Sequence, residues 1–114
     1  MAAERRRVRR GGFFLQTAEH HFPVGGSADG RPSFERFEAG PLRAIEELFS
    51  RAFDELPEPY PGIRAWTTIE VPVFGPMTFY GLLVDDYVEL IDLVVDEDYE
   101  WGSLGDPGSD DGQA

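Results

Sequence analysis

Three clusters hold the side chains most capable of chemistry. Glu19-His20-His21 contains both histidines, Asp85-Asp86 and Asp96-Glu97-Asp98-Glu100 gather carboxylates, and Arg5, Arg6, Arg7, Arg9 and Arg10 gather guanidinium groups. Adjacent side chains diverge by about 100° on a helix and about 180° on a strand, so two neighbouring imidazoles do not converge on one metal ion. The pair reads instead as the end of a helix, with His21 packed partly beside Phe22. The carboxylates are the oxygen ligands that Ca²⁺ and Mg²⁺ take, but their spacing fits no EF-hand loop. Paired carboxylates also serve acid–base catalysis; the plainer reading places these at a hairpin tip and a strand end, in solvent. Gly11-Gly12 and Gly25-Gly26 follow no strand-to-helix junction of the phosphate-binding kind. There is no cysteine, hence no disulfide or thiolate chemistry. No catalytic set, cofactor or metal is expected.

The remaining candidates are contact residues. Arg64 and Trp66 fall on one face of an alternating segment, with Phe79 and Tyr80 on the next. Large aromatics beside a guanidinium are typical of a protein contact, and equally of a sheet face covered by helices. Arg64 and Trp66, with Asp85, Asp86, Asp96, Asp98 and Tyr99, form the expected interaction set.

Charge narrows the partners. The 114 residues carry a net charge of −12. Residues 1–64 hold ten acids against all ten arginines, and residues 65–114 hold twelve acids and no base. Such a balance disfavours phosphate backbones and anionic lipid. The basic arm at residues 5–10 can be solvated or can pair with the chain's own acids. RRVRRGGFFL lacks the apolar run of a twin-arginine signal, and no stretch approaches the ~20 apolar residues of a membrane span. A cytoplasmic protein is expected, with a protein partner, no nucleic acid, no membrane, and a homodimer left open.

The elements that must position these residues follow from periodicity. Arg5–Arg10 suits a short strand. Phe14, Ala18 and Phe22 recur every four residues, predicting a helix over Phe13–His21 ended by Pro23. Ser33 caps a short helix, Phe34 to Ala39, broken at Gly40. Leu42, Ile45, Leu48, Phe49, Ala52, Phe53 and Leu56 form one apolar stripe on a longer helix, ended by the prolines of LPEPYPG. Ile63 to Val71 alternates as a strand, and the Pro-rich Val71–Pro76 bends or bulges. Met77–Val84 and Tyr87–Asp96 form a hairpin across Asp85-Asp86, the second strand read from its β-branched residues. The expected class is α+β: an N-terminal short strand and two or three helices packed on a C-terminal three- to four-stranded antiparallel sheet. Residues 1–12 form a basic arm (1–4 loose), 13–101 the domain, and 102–114 a disordered acidic tail.

The order strand, helix, helix, three strands, together with PGIRAWTTIEVPVFGPMTFYGLLVDDYVELIDLVVD, resembles the RelE/ParE-type toxin domains over residues 5–96. The resemblance implies a small domain from a bacterial, actinobacterial or phage genome, in a toxin–antitoxin setting. Ribonuclease members carry basic residues on the last strands and an Arg or Tyr near the C-terminus. Here no base follows Arg64, and Tyr99 alone stands near that place, so the nuclease activity is not carried over. The expected function is a non-catalytic protein-interaction domain on that scaffold. The alternative is an acidic nucleic-acid mimic that inhibits a nuclease or DNA-binding protein. A carboxylate-based metal-dependent hydrolase ranks third.

Overall fold

The computed structural model describes residues 5–68 and 74–96, and it is α+β as the periodicities predict. Strand β1 (Arg7–Arg10) leads through Gly11 into helix α1 (Gly12–His21). Helix α2 (Phe34–Phe37) begins at Ser33, whose hydroxyl accepts the Arg36 N–H at 3.2 Å, as the cap predicts. It does not stop at Gly40. A π-helical turn, Glu38–Leu42, carries it directly into α3 (Arg43–Ala52). Pro41 lies inside that turn. It has no N–H for the Phe37 carbonyl, and in a regular α-helix its ring would strike that oxygen. The wider π turn absorbs the misfit, and burial of Phe37, Pro41 and Leu42 holds the helix together across it. A 3-10 turn (Phe53–Glu55) ends the segment.

Strands β2 (Ile63–Thr68), β3 (Met77–Val84) and β4 (Tyr87–Val95) form the antiparallel meander, and β1 joins it parallel to β4, giving the order β1-β4-β3-β2. The hairpin of β3 and β4 turns at Asp85-Asp86 as expected, with Asp85 at φ 55°, a backbone region that Asp tolerates better than most residues. The strand expected at 69–71, the bend over 71–73, the loose residues 1–4 and the tail at 102–114 lie outside the described residues.

One face of the sheet is covered. Val88, Leu90, Leu93 and Val95 of β4 and Met77 and Phe79 of β3 are buried against Phe14, Ala18, Phe37, Ile45 and Phe49 of the helices. Phe37 stacks on Phe22 at 4.9 Å and on Phe79 at 6.1 Å between ring centroids, making an aromatic centre. Phe49, from the α3 stripe, sits directly over Gly81. A Cβ at Gly81 would lie 2.7 Å from Cε2 and 2.8 Å from Cδ2 of Phe49. The β3–β4 register shifts between Tyr80 and Gly81 at this point, and the Asp92 carboxylate accepts the Leu93 N–H opposite.

Three arginines of the basic arm are clamped to the helical segment, while Arg7 and Arg9 are exposed. Arg5 bonds Glu47 at 2.6 Å, Arg6 bonds Asp54 at 2.7 Å, and Arg10 bridges Glu46 and Glu38. Those two carboxylates, Glu46 first, hold the Arg10 guanidinium well above its ordinary pKa. The hydrogen bond from Arg5 holds the Glu47 carboxyl below the usual range.

Gly81→Ala should cost about 1–3 kcal/mol by overpacking against Phe49, read as a lowered Tm by circular dichroism; an unchanged melt contradicts the packing. Glu47 gives a pH prediction. A carboxyl with a lowered folded-state pKa contributes stability above its unfolded value, near 4.3, and loses it as pH falls through the folded value. The gap in Tm between the wild type and Glu47→Gln should therefore close as pH drops from about 5 to about 3. A gap independent of pH would contradict the ion pair.

Candidate functional site

The expected interaction set does not form one surface. Arg64 is committed to the fold: its Nη1 donates to the carbonyls of Asp54 at 3.0 Å and Leu56 at 2.8 Å, its Nη2 lies 3.8 Å from Glu58, and its guanidinium stands over the Phe53 ring. A guanidinium is well suited to this task, since it always carries its proton and offers five donors in a rigid fork. It closes the last turn of the helical segment, whose carbonyls have no intrahelical partner.

Trp66, one pleat further along the same face, is 43% exposed. Its pairing with Phe79 puts it on the helix side of the sheet, although alternation gave the more apolar face to Ile63, Ala65 and Thr67. Among the described residues no helix covers it, so the reading of Trp66 as helix-covered core is corrected. Phe79, its neighbour on β3, is fully buried.

A groove of about 580 Å³ runs along the β2 edge, walled by Pro57, Glu58 and Pro59 and by Ala65, Thr67, Thr78 and Tyr80 from the sheet face away from the helices; Trp66 borders it across the edge strand. The loop that follows the helices builds one wall by lying along β2, where the Ala65 N–H donates to the Pro57 carbonyl at 2.9 Å. Thr67 and Thr78 face each other across the strands with their hydroxyls 2.8 Å apart. Rigid prolines and Tyr80 beside a pair of hydroxyls, with Trp66 at the strand edge, make an amphipathic recess. Such a surface takes apolar or aromatic side chains from a partner and fixes them with a few polar contacts. Pro57 and Pro59 were legible only as a helix stop. Their second role as a wall depends on where the loop lies.

The carboxylates are dispersed. Asp85 and Asp86 form the hairpin tip and border a cavity of about 270 Å³ with Arg5, Arg6 and Arg7. Asp96 is at the other end of that hairpin, where its N–H reaches the Pro76 carbonyl at 3.4 Å. Asp98 and Tyr99 lie outside the described residues. Among the described residues no three His, Cys, Asp or Glu side chains are grouped to hold a metal ion. His21 is buried at the end of α1 with its ring 6.4 Å from that of Phe22, as read from the sequence, and His20 is exposed beside it.

The sheet face away from the helices completes the surroundings. Ile63, Tyr80, Leu82 and Val84 lie on it half-buried and Val94 exposed, mixed with Glu89 and Asp92. Compared with known family models, curated proteins and solved structures, the chain matches none.

Arg64 and Trp66 should separate in mutagenesis. Arg64→Met strands two helix-end carbonyls and should cost about 1.5–3 kcal/mol, in the range of hydrogen bonds to charged groups. Trp66→Ala should cost about 1 kcal/mol or less, as an exposed side chain away from special features. Urea unfolding measures both, and equal losses contradict the division of roles.

Proposed function

We propose that this chain is a non-catalytic protein-interaction domain that docks its partner at the Trp66 groove. The observation that carries this reading is the position of Trp66. A large aromatic stands exposed at the rim of a recess built from Tyr80, Pro57 and Pro59, although burying it in the core would be favourable by about 2 kcal/mol. Tryptophan and tyrosine dominate the energetics of protein contacts for this reason: they bring a large apolar area with a polar handle.

The element order supports placing the domain on a scaffold similar to the RelE/ParE toxins, in a cytoplasmic toxin–antitoxin or phage setting. It has a strand first, then the helices, then a three-stranded meander with the first strand beside the last. Among the described residues no helix is long and apolar enough to cross a membrane. The acidic-mimic alternative needs carboxylates spread over one continuous face. Glu38, Glu46, Glu47 and Asp54 are instead taken up by Arg5, Arg6 and Arg10. Asp85, Asp86 and Asp96 stand at opposite ends of the hairpin, so the geometry favours the groove.

The test is co-expression with the product of the neighbouring gene, followed by purification of the complex. The complex should form, and Trp66→Ala with Tyr80→Ala should abolish it while the variant still folds. Purified protein should also leave RNA intact. RNA cleavage lost in Arg64→Ala, or a complex that survives the double variant and fails only when Asp85, Asp86 and Asp96 are neutralised, would overturn the proposal.

A further inference from the structure

The two edges of the sheet are treated differently. On β2 the Ala65 N–H is taken by the Pro57 carbonyl, and prolines stand alongside. On β1 the Gly11 N–H donates to the Leu90 carbonyl at 2.9 Å. In a parallel pair the backbone groups of every second residue face the same neighbour. Gly11, Arg9 and Arg7 therefore face β4, and Arg6, Val8 and Arg10 face away from the sheet. Arg6 is satisfied there by α3: its N–H donates to the Ser50 carbonyl at 2.8 Å, and the Ser50 hydroxyl donates to the Arg6 carbonyl at 2.6 Å. Beyond that residue the strand and the helix part. The backbone N–H and C=O of Val8 and Arg10 have no partner among the described residues. A cleft of about 900 Å³ opens beside them, bordered by Arg5, Arg7, Val8, Arg9, Arg43 and Tyr87, with Glu46 and Glu47 on its helix wall.

The charge in this cleft has one sign to spare. Arg5, Arg6 and Arg10 are paired with carboxylates of the helical segment, and among the described residues Arg7, Arg9 and Arg43 have no ion-pair partner. Arg7 and Arg9 point to the face of the sheet away from the helices, two residues apart, with Arg9 over the Tyr87 ring at 4.8 Å. A strand laid against β1 would bring its own alternate side chains opposite these two guanidinium groups.

The geometry points to strand addition on the β1 edge by an extended acidic segment of another protein, carrying carboxylates at alternate positions that face Arg7 and Arg9. Its backbone supplies the missing partners of Val8 and Arg10, and its carboxylates supply the specificity. A second copy of this chain is disfavoured because two arginine-bearing edges repel each other. A nucleic acid is disfavoured because its continuous phosphates would meet Asp85 and Asp86 at the mouth of the adjoining cavity as well as the arginines. This surface is independent of the Trp66 groove and stands or falls separately from it.

The test uses a synthetic peptide in which Asp alternates with Val, with a second of the same composition and contiguous Asp residues, and a short single-stranded RNA. Binding is measured by calorimetry and by amide exchange read residue by residue. The alternating peptide should bind at least about tenfold more tightly than the contiguous one and slow exchange at the Val8 and Arg10 amides, which become hydrogen-bonded. Arg7→Glu with Arg9→Glu should weaken it at least about tenfold. Val8→Pro removes the outward N–H, which takes no part in the pairing with β4, and keeps an apolar ring against the core, a change that an edge strand accepts; it should fold, retain the arginines and still lose the peptide. Trp66→Ala should bind it normally. Equal affinity for both peptides, tighter binding of RNA, unprotected amides, undiminished binding by Val8→Pro, or dimerisation through this edge would each overturn the inference.

Discussion

The helix layer meets the sheet where the Phe49 ring lies on Gly81. The absent side chain of Gly81 lets α3 approach β3 directly, and the shift of register beside it passes the close contact on to β4. Once Phe49 is seated there, the rest of the stripe has little freedom. Ile45 and Leu42 fall over the aromatic centre around Phe37, and Phe53 falls one turn further on, beside Arg64. The reach of α3 beyond Gly81 also fixes where cover ends. Arg64 still lies beneath the helix, while Trp66, one pleat on, lies past it. The exposed tryptophan follows from where the helix stops.

The charge distribution obeys the same placement. α3 presents Glu46 and Glu47 to the chain's first strand, and the arginines there take them up. The paired part of the basic arm is thus part of the fold: β1 is held at the edge of the sheet by its four paired residues, with guanidinium–carboxylate bonds to the helical segment alongside. Among the described residues that leaves Arg7, Arg9 and Arg43 beside this edge without an ion pair, a local reversal of sign that bears on which partners approach from that side.

Local signals carried much of the architecture. The Leu42, Ile45, Phe49 and Phe53 stripe, the Ser33 cap and the Asp85-Asp86 hairpin all depend on residues close in sequence. The continuation of the helix through Gly40 and Pro41 was not legible, because their local preference is to stop. Burial of Phe37 and Leu42 on either side overrides it. Nor was the parallel pairing of β1 with β4, a contact between residues some eighty positions apart with one apolar side chain, Val8, to announce it. For the site, alternation assigned Trp66 and Arg64 to a face but carried no information on how far the helix would cover it. The partners of Arg64 are backbone carbonyls, and no side-chain pattern encodes those. Asp98 and Tyr99 fall outside the described residues.

The claim at the centre of this account is that the domain works by docking a protein at the Trp66 groove. Hydrogen–deuterium exchange of the domain, alone and in complex with the product of the neighbouring gene, addresses it most directly. The account predicts slowed exchange along Ile63–Thr68 and the first half of β3, with α1 unchanged. Protection confined to the Asp85-Asp86 tip and the acidic end of β4, with none at the groove, would contradict it.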